Sequence, residues 1–146
     1  MKPKVYVIHR HVKGQDMNHH RTLFAGRSAE WFVEAGFIAA AGLTSPERVV
    51  CANIHGMVFS KPVQSGDILR FESRVVFAGR SRLVSYVRVV FDRNEELGLD
   101  GFLTFVHVDE QGRPLPHGIV IDAVDPEEIR LQEKARSLRP GTSPQG

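Results

Sequence analysis

Glu30 and Glu34 stand four residues apart in a run, Gly26 to Gly42, that is otherwise mostly alanine and large apolar side chains (GRSAEWFVEAGFIAAAG). The run contains no proline, and it predicts a buried helix fed by the polar, turn-prone stretch that begins at Asp16. At about 100° per residue the two acids share a face of that helix. A carboxylate among apolar side chains is either a working base or nucleophile, or it is bonded to the backbone or to a cation such as Arg21 or Arg27. The residues themselves leave both roles open.

Other residues able to do chemistry are less organised. His9 and His11 fall on one side of KVYVIHRHV, but no carboxylate, cysteine or third histidine follows at ligand spacing. A structural or solvent-facing role is favoured for them, and no metal is expected. His19 and His20 have no second triad member near them, and Ser28 lacks a nucleophile-elbow context, so the histidines read as loop residues at the mouth of a site. The single cysteine, Cys51, excludes an internal disulfide and lies in the apolar run RVVCANI, which predicts a core thiol. Its solitude fits a reducing cytosol, so a cytoplasmic location is expected.

These residues need a scaffold, and the chain is long enough for one. Its 146 residues, 42% hydrophobic, support one core and one domain over residues 1–138, with RPGTSPQG (139–146) expected to be a disordered tail. A formal charge of +2 is too small to argue for nucleic acid, and no apolar run reaches membrane-span length or resembles a signal-peptide core.

Strands are expected at Lys4–Val12, at Arg48–Lys61 with a bend near Gly56, and at Ile68–Ala78 and Arg82–Asp92, the last two joined as a hairpin by Gly79-Arg80-Ser81. Thr44-Ser45-Pro46 and Pro62–Asp67 read as a loop and a turn, and Asn94–Leu99 as a polar connection to a last strand, Gly101–Asp109. A turn at Glu110–Pro114 follows. Asp125 then caps a final helix with proline at its first position and acids in its first turn, carrying Leu131, Ala135 and Leu138 on one side. The result is an α+β architecture of about five antiparallel strands around one buried helix. One helix cannot cover both faces of such a sheet, so the free face or edge invites a second copy.

The chain resembles the hotdog-fold acyl-CoA thioesterases. The likeness rests on Asp16-Met17-Asn18, Thr22-Leu23-Phe24-Ala25-Gly26 and Glu34-Ala35-Gly36. It continues in His55-Gly56-Met57-Val58-Phe59-Ser60-Lys61-Pro62-Val63 with Gly66-Asp67, in Val76–Ser81, and in Thr104–Pro114. These motifs are collinear over roughly residues 5 to 116. The resemblance implies a five-stranded antiparallel sheet wrapped around one long helix, and dimers joined sheet edge to sheet edge with active sites at their interface. It implies tetramers or hexamers beyond the dimer. Acyl-CoA is the implied partner, without nucleic acid or membrane, and the only implied cofactor is the CoA that the substrate carries.

Three positions depart from the family pattern. The helical aspartate that such enzymes use to activate water is Val33 here, a glycine after the asparagine is Arg21, and the first glycine of a Phe-Gly-Gly motif is Ala25. A valine accepts no proton, so the acid must come from elsewhere. Glu30 lies about 60° around the helix from Val33 and Glu34 about 100°, and Glu30 is ranked first.

In this reading the amides around Ala25, Gly26 and Arg27 hold an oxyanion, and Gly26 lets the thioester approach the backbone. Asn18 orients water or substrate, and a glutamate acts as base or as nucleophile through an anhydride. Apolar surroundings would make that glutamate the better base. Trp31, Phe32, Phe37 and Phe59 are candidate acyl walls, and Lys61, Arg80, Ser81 and Arg82 are candidate CoA contacts. Arg21 could reach a phosphate or neutralise a glutamate. A non-catalytic acyl-CoA-binding protein is the alternative that Val33 raises. A hotdog dehydratase ranks last, because no histidine stands opposite Glu30.

Overall fold

Helix α1 (Ala25–Ala41) turns Phe32, Ala35, Gly36, Ala39 and Ala40 inward and buries them against a sheet. The computed structural model describes residues 1–59 and 61–138, without the side chains of Val58 and Phe59. The tail expected at 139–146 lies outside the described residues. The sheet has five strands, β1 (Tyr6–His11), β2 (Val49–Phe59), β3 (Ile68–Ala78), β4 (Arg82–Phe91) and β5 (Leu97–His107). They are antiparallel in the order β1-β3-β4-β5-β2. A second helix, α2 (Pro126–Ser137), is capped by the Asp125 carboxylate accepting from Glu128 N at 2.9 Å.

The two faces of the sheet carry different helices. Leu69, Phe71, Leu83, Val87, Leu103 and Phe105 share one core with α1. On the outer face Leu131 and Ala135 of α2 pack on Val76, Val84, Tyr86 and Phe102. Central β4 is therefore buried at nearly every position, while β1 alternates strictly. Two buried hydroxyls tie α1 to the sheet: Ser73 Oγ donates to Ala35 O and Ser85 Oγ to Gly36 O, both at 2.8 Å. Gly36 permits this approach, since a Cβ there would sit 2.8 Å from Leu103 Cδ1.

Strand β5 begins at Leu97, not at the expected Gly101. The polar residues before it close a tighter turn: Phe91 N donates to Glu96 O and Glu95 N to Phe91 O, both at 2.9 Å. Asp100 then lies on the outer face, where Tyr86 Oη donates to it at 2.8 Å, so a charged residue sits within the strand without breaking it. Residues 115–125 run as an extended strap from the end of β5 to α2. Leu115 N donates to His107 O at 2.9 Å, Ile119 and Ile121 pack on the core, and Gln132 Nε2 donates to Ile121 O at 3.0 Å.

Replacing Gly101 by alanine should be costly, because its Cβ would run into the Gly56 carbonyl oxygen and lie 3.0 Å from Phe32 Cζ. Denaturant unfolding of Gly101→Ala is expected to show a loss of about 2 kcal/mol. On the outer face, His55 Nε2 lies 2.7 Å from Thr104 Oγ1. Burial, and secondarily the Arg82 charge, hold its pKa below the ordinary 6.5. The unfolded chain then takes up the proton first, so stability is lost as pH falls below 6.5. Thermal melting from about pH 7.5 down to about pH 5 should fall further for wild type than for His55→Gln, which lacks that titration.

Candidate active site

The loop ahead of α1 is built on two carboxylate and amide side chains. Buried Asp16 accepts from Lys13 N at 2.9 Å through Oδ2 and faces Arg27 Nε at 3.3 Å through Oδ1, while its carbonyl accepts from Phe24 N at 2.8 Å. Asn18 closes the next turn upon itself. Its Oδ1 accepts from His20 N at 2.8 Å and Thr22 N at 3.2 Å, and its Nδ2 lies 3.1 Å from Thr22 Oγ1. Leu23 N donates to Val63 O at 2.9 Å, which seats the loop against residues 61–63. A cleft of about 340 Å³ opens there, lined by Asn18, Thr22, Leu23, Ala25, Lys61, Pro62 and Val63.

Arg21 adopts φ 62°, the left-handed conformation a glycine takes at no cost. A side chain at this position therefore carries strain that a glycine would not. Arg21→Gly should stabilise the protein by about 1 kcal/mol, measured by denaturant unfolding.

At the helix start, Ala25 and Gly26 carry the first two amides, which by geometry have no acceptor within α1, and Phe24 gives no side-chain cap. Arg27 differs from expectation. Its N–H already donates to Phe24 O at 3.0 Å, so it is not an open oxyanion donor. The Phe24 ring lies over Gly26, where any Cβ would meet it. Thr22 escaped the sequence reading, since one threonine in a polar loop carries no signal until Asn18 is seen bonded to it.

The two helical acids are not enclosed by apolar groups as expected. Glu34 is ion-paired with Arg10 and its side chain is 51% exposed. Glu30 is 67% exposed and lies 3.8 Å from Arg27. Their apolar neighbours are on the opposite side of the helix. At about 100° per residue Glu30 and Glu34 are turned roughly 140° and 180° from Ala25, the α1 residue that lines the cleft. None of the described residues lining the cleft is acidic. Val33 packs, partly buried, against the core.

The candidate acyl walls are core residues: Phe32 is fully buried, Trp31 stands edge-on to Phe71 at 6.3 Å, and Phe37 to Phe105 at 6.2 Å. Phe59's side chain lies outside the description. The candidate CoA contacts fall into two groups. Lys61 lines the cleft and is ion-paired with Glu96. Arg80, Ser81 and Arg82 sit at the other end of the sheet, about 20 Å beyond the Ser73–Ala35 contact at mid-helix. Arg82 is also tied back, donating to Leu138 O at 2.8 Å with its guanidinium over Phe77.

Cys51 is not in the core. It is exposed on edge strand β2, although its sulfur is shielded enough that burial pushes the thiol pKa up. His9 and His11 are exposed on the outer face, His9 3.4 Å from Asp92, and the His19 and His20 rings lie against each other in the exposed loop. Among the described residues no helix is long and apolar enough to cross a membrane.

A helix wrapped by five antiparallel strands, with a cleft at its start, defines the hotdog class. The model of the thioesterase superfamily matches residues 20–97. The uncharacterized acyl-CoA thioester hydrolase YkhA of Bacillus subtilis is 33% identical over 124 residues, covering 82% of this chain and 71% of that protein. Among solved structures, the acyl-CoA hydrolase of Staphylococcus aureus in complex with butyryl-CoA, CoA and CoA disulfide superposes with a TM-score of 0.78 at 30% identity, over 90% of this chain and 79% of that one. An apo hexameric acyl-CoA thioesterase gives 0.78 at 31% identity, over 91% and 86%. The chain belongs to the thioesterase superfamily, as a hotdog-fold thioester hydrolase.

Proposed function

We propose that the chain hydrolyses acyl-CoA at the cleft beside the start of α1. The observation that carries this reading is the meeting, at one cleft, of the first helical amides, Ala25 and Gly26, which have no acceptor within α1, with the self-closed Asn18–Thr22 turn. The amides and the positive end of the helix hold the oxygen that becomes negative when the acyl carbon is attacked. The second hydrogen of the Asn18 amide orients the water or the thioester. CoA then leaves as its thiol, and the acyl group leaves as the free acid. Ligand complexes of the Staphylococcus relative with butyryl-CoA and CoA support the substrate class.

Glu30 is the acid we assign, as base or nucleophile. Its contact with Arg27 is long and its side chain open, whereas Glu34 is held by Arg10. To act, Glu30 turns toward the Val33 side, or meets a substrate that enters from a second copy.

That second copy also brings the two groups of CoA contacts together. β2 is an edge strand with Val50 and Ile54 each 48% exposed, and its pairing runs from Val49 beside His107 to Phe59 beside Leu99. Joined antiparallel along this edge, two copies set the 79–82 hairpin of one near Lys61 and Asn18 of the other. Hexameric assembly is a property of relatives and an extension of the same pairing.

Thiol release from short, long and aromatic acyl-CoAs tests the reading. Wild type should turn over. Asn18→Ala should lose at least about tenfold in kcat/KM and Glu30→Gln about a hundredfold, while Glu34→Gln stays within about threefold. Full activity in both acid variants refutes the role of Glu30. Tight acyl-CoA binding with no thiol released by wild type points instead to a binding protein, the reading that Val33 favours.

A further inference from the structure

We propose that His117 is a positioning residue for CoA binding, acting through the backbone of the 79–82 hairpin; this rests on the reading that the hairpin meets CoA. The tip of that hairpin is held from behind at three successive carbonyls. Arg80 O accepts from His117 N at 3.2 Å, Ser81 O from His107 N at 2.7 Å, and Arg82 O from Gly79 N at 2.8 Å. Arg82 O accepts a second hydrogen bond from the His117 ring, whose Nε2 lies 3.0 Å away. With its carbonyls turned inward, the tip presents the Arg80 side chain outward, exposed and without an ion pair among the described residues.

The imidazole can do this in only one form. Ile119 N–H donates to Nδ1 at 2.9 Å, and an amide N–H can only donate, so Nδ1 is the acceptor and Nε2 carries the proton given to Arg82 O. The strap around it is anchored elsewhere by Ile119 and Ile121 in the core and by Gln132 of α2. Through His117 that anchored strap sets the angle of the hairpin tip, and so the reach of Arg80. His117 lies beyond the residues matched by the superfamily model, and it touches neither the Asn18 cleft nor the start of α1. Its loss should therefore weaken CoA binding and spare the chemical step.

The test uses His117→Asn, whose side-chain oxygen can still accept from Ile119 N–H but whose amide is too short to reach Arg82. KM for acyl-CoA should rise about fivefold, with kcat within about twofold. His117→Gln, whose longer side chain brings an amide donor near the Nε2 position, should restore most of the affinity, and CoA affinity by calorimetry should follow KM in each variant. An unchanged KM in His117→Asn, an equal rise in both variants, a fall in kcat alongside KM, or failure of His117→Asn to fold overturns the assignment and leaves His117 a stabilising residue. Arg80→Ala separates the two layers. If it leaves KM unchanged, the hairpin does not meet CoA and the underlying reading fails; if it raises KM while His117→Asn does not, only the positioning role fails.

Discussion

Two serine hydroxyls pressed against the middle of a helix decide where everything else lies. Ser73 and Ser85, on adjacent central strands, donate to the carbonyls of Ala35 and Gly36. Both bonds are buried, and each contributes roughly 1 kcal/mol net. Their larger effect is geometric. They hold α1 at one height and one rotation over the sheet, with Gly36 making the approach close enough. The helix start then falls beside residues 61–63 at one end of the sheet, and the tip of the β3–β4 hairpin falls at the other. A slide of α1 by one turn would remove both bonds and take the first amides out of the cleft.

The same rotation explains the helical acids. With the Phe32–Gly36 face inward, positions 30 and 34 turn toward β1, where Arg10 waits, and toward the Asp16 loop, where Arg27 waits. Positions 25, 29 and 33 turn toward the β2 side. Val33, on that side, packs partly buried against the core. Glu34 is ion-paired with Arg10, whereas Glu30 has only the longer contact with Arg27.

Much of the architecture could be read before any coordinates. The helix boundaries came from Gly26 and Gly42, the β3–β4 hairpin from Gly79-Arg80-Ser81, and α2 from its Asp125 cap and Pro126. These signals are local, carried by backbone preferences within a few residues. What was missed depends on distant partners. Leu97 to Leu99 reads as the end of a polar connection until its pairing with β4, and the Tyr86–Asp100 bond across the strand, are seen. Cys51 reads as core because an apolar run does not reveal that its strand is at the edge. Glu30 and Glu34 read as buried because the helix is apolar on average, although their own side of it is open. The strap from 115 to 125 has no periodicity at all, so His117 could not be connected to the hairpin from sequence.

Edge strand β2 is irregular at two places in its pairing with β5, between Cys51 and Asn53 and between His55 and Val58, with Gly56 at φ 71° in the second. Such irregularities twist a strand and put its donors and acceptors out of step with a regular neighbour. An ordinary extended peptide laid along this edge can match only a few residues before its register fails. The edge thus discourages the open-ended stacking that builds fibrils.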